Sequence, residues 1–407
     1  MGEGLKRYFI PGVIGFAPLA TFLLTWDVAS YGKMTSIIRA LSLPELSAEL
    51  AAIAIAFAEG MLPWLRQMRM SRPPAIALAA LVLVAVGTVM IAPDRLGAAS
   101  HTFFWIVHLC FGFSIAFLCG RVFRGSDLVR CYLLGFAAFA AAFAVFAITN
   151  FHRPLDWTRD LPAVVHIRHL GIYATAIIGL CIGLMATASR TEVWIGACAV
   201  AASGFALALW TGARGPVFAA GAAVAIGLLI APDMRRIRAW GGTLLSLFAG
   251  LLAVIRLPVP AGNMGFARTV SATTQSGDVG TGRMALWKGV VQAIERQPLF
   301  GYGEGQMQSV APYYTMAQPH NLVLQVLLAW GVIGLVCVCV LGFAFARMAL
   351  PAIRRDPART LAPALAMASL VALSMIDAAM YHILPLSIFA ASAGVIAAAA
   401  RSETATG

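Results

Sequence analysis

Three arginines carry the clearest chemical signal in this sequence. Arg283 opens an amphipathic stretch, Arg214 lies in the tight turn TGARGPV, and Arg168 lies in HIRHLGIYA at the mouth of an apolar run. A guanidinium group binds phosphate oxygens through two parallel hydrogen bonds and keeps its charge at physiological pH. Two or three such groups would hold a diphosphate and neutralise the charge that develops as it departs. The pattern therefore favours a site for a phosphorylated, anionic substrate.

A histidine near these arginines is the candidate base. His320 and Asn321 follow Pro319 and precede a long apolar run, so they are predicted to stand at the N-terminus of a helix. An imidazole can take the proton from a hydroxyl group as that hydroxyl attacks. The alternative is that both residues only cap the helix, since Asn is a preferred capping residue. With Arg283 and GYGEGQ upstream, a functional role is favoured, in which His320 is the base and Asn321 contacts substrate.

A Gly-rich turn, GYGEGQ, supplies further candidates. Backbone amides of such turns can surround a phosphate group, so Gly301 and Gly303 are predicted to contact substrate. Glu304 is predicted to contact substrate as a second acid–base group, or else to be a solvated loop residue. Asp377 lies in the turn before the last apolar run, where it either orients an Arg or His of the site or forms a local cap or salt bridge.

No sequence pattern for a metal accompanies these residues. The chain has no D-x-D, no H-E-x-x-H and no closely spaced His/Cys cluster, although acids from separate loops could still meet in space. His169, next to Arg168, is a weaker candidate for substrate contact. The sequence therefore predicts a site without a metal or another cofactor.

The elements that position these residues must be membrane helices. The chain is 60% hydrophobic and only 11% charged, whereas a soluble domain is about a quarter charged. About 20 apolar residues are needed to cross the hydrocarbon, and twelve runs of that kind predict an all-α polytopic membrane protein. The predicted spans are 8–26, 46–65, 75–93, 101–120, 128–150, 169–187, 192–210, 216–232, 240–257, 320–345, 361–380 and 382–400.

The net charge of +12 is explained by membrane topology. With the N-terminus inside, most of the 29 basic residues fall in short cytoplasmic loops, as the positive-inside rule requires. Both termini are then cytoplasmic, the arginine site lies on the outer face, and a nucleic-acid partner is excluded.

One outward loop is much longer than the others and divides the chain. Residues 1–257 are predicted to form nine membrane helices, 258–319 the large outward loop, and 320–407 three more helices. Within the loop, Met284, Trp287, Val291 and Ile294 recur at helical spacing, and Pro298 ends that segment.

The arginines have a simpler alternative explanation as interfacial side chains that reach towards lipid headgroups. That explanation is preferred for Arg256 and Arg268. For Arg214 a functional role is favoured, because Gly212 and Gly215 permit a backbone turn built around it.

The combination GR…W…QPLFGYGEGQ…HN…WGVIGL resembles the O-antigen ligase and O-antigen polymerase superfamily of bacterial inner membranes. The matching positions are Gly282–Arg283, Trp287, Pro298–Gly303, His320–Asn321 and Gly331–Gly334. Arg168 and Arg214 also fall where the superfamily carries essential arginines, and the resemblance covers about residues 168–335.

The resemblance implies a GT-C-like glycosyltransferase that acts on the periplasmic face without a metal and inverts the anomeric centre. The donor would be an undecaprenyl-diphosphate-linked glycan. His320 would be the general base, and Arg168, Arg214 and Arg283 would bind the diphosphate. The acceptor would be lipid A-core in a ligase or a lipid-linked repeat unit in a polymerase, and a related branch glycosylates proteins. The large outward loop is short compared with that of many ligases, which keeps polymerase close behind ligase.

A transporter of lipid-linked glycan is the non-enzymatic alternative. Transporters place ionisable groups near the middle of the membrane on broken helices. Here the predicted mid-span polar residues are few, His108 and Glu59, and the arginines gather at one face. A structural scaffold would leave the His-Asn and Arg positions unexplained, so an enzyme is favoured.

Overall fold

The computed structural model describes residues 3–68, 70–153, 155–259, 264–265, 283–311 and 317–401. Within these ranges the protein consists of α-helices and two short 3-10 helices, Pro232–Arg235 and Ala379–Tyr381. The helices are α1 (Glu3–Leu24), α2 (Val28–Ala40), α3 (Leu43–Ala58), α4 (Met61–Gln67), α5 (Arg72–Ile91), α6 (Arg95–Leu118), α7 (Gly125–Asn150), α8 (Arg168–Thr187), α9 (Thr191–Trp210), α10 (Gly215–Ile230), α11 (Ile237–Arg256), α12 (Arg283–Arg296), α13 (Met307–Val310), α14 (Leu322–Arg355), α15 (Pro357–Ser374) and α16 (Ile383–Arg401).

The predicted all-α polytopic membrane architecture is confirmed. Ten helices of the described ranges are long and apolar enough to cross a membrane. Two of the twelve predicted spans take a different form. The second, 46–65, overlaps only the second helix of a pair bent by 53°, Met34–Ala40 and Leu43–Ala58, and continues into the short helix α4. The eighth is α10, which has only 16 residues.

Helix α8 lies at the centre of the protein. Neighbouring helices bury 89% of its apolar membrane-spanning segment. Glycines let α15 approach it closely. A Cβ at Gly179 would lie 2.6 Å from the carbonyl oxygen of Leu365, and one at Gly183 would lie 2.5 Å from the amide nitrogen of Ala362. Small residues at helix contacts allow such close packing in membranes. The contact places the first residue of α8, Arg168, at the same end of the protein as the last turn of α15.

The helices leave two chemically different ends. At one end Arg7 pairs with Asp127 at 2.7 Å, and the Arg401 guanidinium lies 4.5 Å from the ring centroid of Trp64. These arginines belong to the set predicted to face the cytoplasm. The other end carries the turns before α8 and α10, the turn between α15 and α16, and the start of α14. The candidate site residues therefore gather at the end opposite to Arg7.

The long helix α14 is broken at Gly331, which has φ 62° and ψ −165°. A loop of residues 298–303 packs into the break. The amides of Tyr302 and Gly303 donate to the carbonyls of Leu328 and Ala329 at 2.8 Å, and the amide of Val332 donates to Pro298 at 2.8 Å. Backbone groups freed inside a membrane helix need such partners, because lipid supplies none. The loop of residues 298–303 and the break at Gly331 thus stabilise each other through backbone hydrogen bonds.

The amphipathic helix α12 ends at Arg296, close to Pro298, as predicted, and two of the residues that indicated it, Trp287 and Ile294, pack partly buried against its apolar cluster. Leu286, Val290 and Ala293 are buried, whereas Met284 is 66% exposed and Val291 is 41% exposed. The buried stripe packs on Met307 and on Leu328 of α14. The predicted helical spacing is therefore correct, and the most buried residues of the helix are ones that the pattern did not single out. Gly282, Arg268 and the loop residues 260–263, 266–282 and 312–316 lie outside the described residues.

Candidate active site

The three predicted arginines are each held at the start of a helix. Arg168 begins α8, Arg214 directly precedes α10, and Arg283 is the first described residue of α12. The turn at Arg214 uses Gly212 at φ 72°, a conformation that favours glycine. A Cβ added to Gly171 would lie 3.3 Å from the Cβ of Ala213. The Arg214 turn therefore rests on the first turn of α8, close to Arg168.

The charges of these arginines act on one another. Burial lowers the pKa of the Arg283 guanidinium, the carboxylate of Asp377 opposes that shift, and the positive charges of Arg168 and Arg214 reinforce it. Like charges that share a partly buried site repel because few solvent molecules screen them. A ligand with two or more negative charges relieves this repulsion. The structure thus brings Arg168, Arg214 and Arg283 into one cationic cluster.

His320 is held by Asp377, a residue 57 positions away along the chain. The Nδ1 atom of His320 lies 2.8 Å from Oδ1 of Asp377, and the two side chains are 21% and 19% exposed. Burial raises the pKa of Asp377, but the hydrogen bond and charge of His320, the Ala378 amide and the charge of Arg283 outweigh it and keep that pKa low. An ionised carboxylate only accepts hydrogen bonds. The proton of neutral His320 is therefore on Nδ1, and Nε2 is left to act as a base.

The neighbours of His320 fix its position. The side-chain Oδ1 of Asn321 accepts from the Leu324 amide at 3.1 Å and so caps α14, while its side-chain Nδ2 donates to the Met375 carbonyl at 3.0 Å. Trp287 Nε1 donates to the Pro319 carbonyl at 2.9 Å. His320 itself has φ 55°, a conformation that non-glycine residues adopt at an energetic cost. Asn321 therefore takes the capping role, and His320 is presented to the site.

Two further histidines lie beside this pair. The ring centroids of His169 and His382 are 3.9 Å apart. Burial lowers the pKa of His382 to about 4, a shift that Asp377 opposes and the nearby His320 and His166 reinforce. His382 is therefore neutral at physiological pH. His169, predicted to contact substrate, is placed against this neutral ring at the start of α8.

A cavity of about 630 Å³ joins these groups, since its lining includes Arg168, His169, Glu304, His320 and Asp377. It continues between the helices as far as Arg39, Glu45 and His108. The expectation that few ionisable residues lie inside the spans was wrong in part. Besides His108, which binds Glu49 at 2.8 Å, the carboxyl group of Glu45 is buried against Thr21.

The predicted Gly-rich turn contributes the Glu304 side chain to the cavity, but its glycine amides are used within the chain. The amide of Gly303 donates to the Ala329 carbonyl, and that of Gly301 donates to the Gln297 carbonyl at 3.2 Å. The expectation that these amides are open to a phosphate group does not fit this arrangement. Glu304 is buried, not solvated, and its Oε1 accepts from Gln325 Nε2 at 2.8 Å. Burial raises the pKa of Glu304 to about 7, although Gln325 and Trp105 lower it.

Several lining residues were missed by the sequence reasoning. Gln318, Gln325, Trp105 and Tyr381 lie around Glu304 and His320. Only Gln325 had a local signal, because it lies four residues after Asn321 and so on the same helix face. Trp105 comes from a distant helix, and no local pattern points to it. Among the described residues, no group of three His, Cys, Asp or Glu side chains could hold a metal ion.

Part of the chain is similar to a known protein family. Residues 174–339 match the family model described as O-antigen ligase. No curated protein matches the chain. The matched segment contains Arg214, Arg283 and His320, begins just after Arg168 and ends before Asp377.

Proposed function

We propose that the protein transfers a glycan from undecaprenyl diphosphate to an acceptor sugar, a proposal that the match of residues 174–339 to the O-antigen ligase family model supports. The transfer takes place on the periplasmic face of the bacterial inner membrane. The acceptor is the lipid A-core of lipopolysaccharide, which makes the protein an O-antigen ligase. The reaction needs no metal, because the arginine cluster neutralises the leaving group.

The observation that carries this proposal is the His320–Asp377 pair beside three arginines. Nε2 of His320 takes the proton of the acceptor hydroxyl as its oxygen attacks the anomeric carbon. The bond from that carbon to the diphosphate oxygen breaks, and undecaprenyl diphosphate leaves with the electron pair. Arg168, Arg214 and Arg283 bind the developing negative charge. Attack opposite to the leaving group inverts the anomeric centre.

Asp377 supports the base throughout this step. Its 2.8 Å contact with Nδ1 keeps the ring proton away from the reacting side and stabilises the imidazolium that forms. The proton then passes to solvent or to the departing diphosphate, which restores the neutral base.

The position of the site at one end of the protein supports the periplasmic location. The site lies opposite to Arg7 and Arg401, whose end the positive-inside rule assigns to the cytoplasm. The lipid tail of the donor lies along grooves between the spans, and the diphosphate reaches the arginines at the membrane surface.

Polymerisation of lipid-linked repeat units is the second candidate, because the large outward segment 258–319 is short compared with that of many ligases. Gene deletion followed by electrophoresis of extracted lipopolysaccharide separates the two. Loss of a ligase leaves bare core while lipid-linked polymer accumulates. Loss of a polymerase leaves core that bears one repeat unit. Unchanged lipopolysaccharide with lost exopolysaccharide indicates a capsule-type polymerase.

Complementation of the deletion strain then tests the residues. His320→Ala is expected to restore no transfer, and Arg214→Lys to restore little, since an ammonium group cannot bind phosphate through two parallel hydrogen bonds. Arg256→Lys is the matched control, because Arg256 ends α11 on the exposed surface. If His320→Ala complements fully at wild-type expression, His320 is not the base. Unchanged glycans in the deletion strain would refute the proposed activity itself.

A further inference from the structure

The large cavity beside His320 has room for a ligand that the arginine cluster does not hold. Its volume of about 630 Å³ lies within the range of about 300–1,000 Å³ that is usual for small-molecule sites. Of the three clustered arginines, only Arg168 lines it, whereas Arg214 and Arg283 do not. His320 lines it as well. A group inside the cavity therefore lies beside the base and largely away from the diphosphate.

The wall of this cavity suits a sugar ring. Sugar rings present C–H groups on their faces and hydroxyl groups around their edges, so they bind to aromatic rings combined with hydrogen-bonding side chains. Both kinds of residue line the cavity, and several of them are only partly buried: Phe104, Trp105 and Tyr381 among the aromatic residues, and His101 and His166 among the polar ones.

One side of the cavity is an irregular loop, residues 155–167, that is held in a fixed shape. The guanidinium of Arg39, a residue only 8% exposed, donates to the carbonyls of Arg159, Leu161 and Val164 at 2.8, 2.9 and 3.3 Å. The Ala163 amide donates to Oγ1 of Thr25 at 2.8 Å. A guanidinium is costly to bury unless its donors are paired. Arg39 therefore acts as a brace for this loop.

The cavity also opens to the surface at this loop. Val165 lines the cavity and is 38% exposed, and the neighbouring lining residue Arg159 is exposed too. A ligand can therefore enter past Val165 and reach His320 without crossing the arginine cluster.

Most of the cavity wall comes from outside the family segment. Within residues 174–339 the lining consists of Glu304, Ala317, Gln318 and His320, and the rest lies before or after this segment. The family segment carries two of the three arginines and the base, which serve the donor and the chemistry. A cavity built mainly by other parts of the chain is suited to the substrate that differs between ligases and polymerases, which is the acceptor.

We propose that this cavity binds the acceptor sugar and that the loop 155–167, braced by Arg39, selects it. The inference rests on the proposed glycosyl transfer and adds to it where the acceptor enters and which part of the chain recognises it. The acceptor in the cavity and the diphosphate on the arginines then approach the anomeric carbon from different directions, as inversion requires.

The first test measures binding without turnover. Val165→Cys, a change of similar size, is reacted with a water-soluble maleimide in lipid nanodiscs, and the wild type gives the background labelling. The ligands are lipid A-core from the deletion strain, or the lipid-linked repeat unit if the deletion identifies a polymerase, and separately the undecaprenyl-diphosphate-linked donor. We expect the acceptor to slow labelling severalfold and the donor to leave it unchanged. Gln292→Cys on the exposed face of α12 is the matched control, and neither ligand should protect it.

The second test measures turnover. Val165→Trp narrows the entrance and is expected to raise KM for the acceptor about tenfold, while KM for the donor stays unchanged. Val193→Trp is the matched control, because Val193 is 46% exposed on α9 and does not line the cavity. Arg39→Gln removes the brace and should raise KM for the acceptor about fivefold, near the effect of one hydrogen bond.

Three results would overturn the inference. Protection of Val165→Cys by the donor, or a rise in KM for the donor alone, would assign the cavity to the donor glycan. Absence of protection by either ligand would show that the cavity holds no substrate. Lowered thermal stability of Arg39→Gln with unchanged KM values would limit the braced loop to a structural role. A wild-type protein that transfers glycan to neither acceptor would instead refute the proposed function, and this is seen before any variant is made.

Discussion

Asp377→Asn is the sharpest test of the proposed base. In the wild type, the ionised carboxylate accepts from Nδ1 of His320 at 2.8 Å, with about four fifths of both side chains shielded from solvent. This contact strengthens as the imidazolium forms, so it lowers the barrier more than it stabilises the resting state. A hydrogen bond to a charged group contributes about 1.5–3 kcal/mol, which corresponds to a fall in kcat of about 10-fold to 150-fold when it is lost.

A change in the tautomer of His320 is expected to lower kcat further. An asparagine amide can donate to Nδ1, which moves the ring proton to Nε2 and removes the base from the reacting side. The KM for the donor is not expected to rise, because removing a carboxylate leaves Arg283 with a stronger attraction for diphosphate. The effect should therefore appear in kcat.

The assay uses the purified protein in lipid nanodiscs with a labelled donor. The donor concentration is varied at a fixed acceptor concentration, and the product is followed by electrophoresis. Asp356→Asn is the matched control, since Asp356 caps α15 through the Arg359 amide at the opposite end of the protein. It should leave kcat unchanged. If Asp377→Asn retains a kcat within about twofold of the wild type, less than the weakest hydrogen bond of this kind would cost, Asp377 does not support a base at His320.

Three further outcomes follow from the packing and the pKa of single residues. Gly331→Ala is expected to lower thermal stability by about 1–3 kcal/mol, because its Cβ would meet the backbone of the 298–303 loop, whereas Gly342→Ala, with open space around it, should be neutral or stabilising. Trp287→Phe removes the hydrogen bond to Pro319 and should lower transfer about fivefold, near the effect of one hydrogen bond. The raised pKa of Glu304 stabilises the protonated folded form, so stability is full below about pH 4.5 and lost as pH rises through about 7. Thermal unfolding across this window should show a loss on the order of 3 kcal/mol that Glu304→Gln abolishes, and equal profiles would contradict burial of an ionisable Glu304.

The local elements of the fold were readable from the sequence because each depends on neighbouring residues. An apolar run of about 20 residues has few stable forms in lipid other than a spanning helix, and the predicted runs became helices. As predicted, Pro298 follows the end of α12 and Pro319 precedes the start of α14. The bend between Ala40 and Leu43 and the break at Gly331 were not predicted, because each is stabilised by partners distant in the chain.

The sequence alone determined which residue types stand at the helix ends of the candidate site: the arginines, His320 and Asn321. Tertiary structure decided which of them meet. The pairing of His320 with Asp377, the burial of Glu304 against Gln325 and the use of the Gly303 amide within the chain all depend on how helices pack. Close approaches such as that of α8 and α15 at Gly179 set those positions, and hydrophobic periodicity carries no information about them. Physical proximity across 57 residues is a property of the folded bundle, which is why the partner of the base became visible only there.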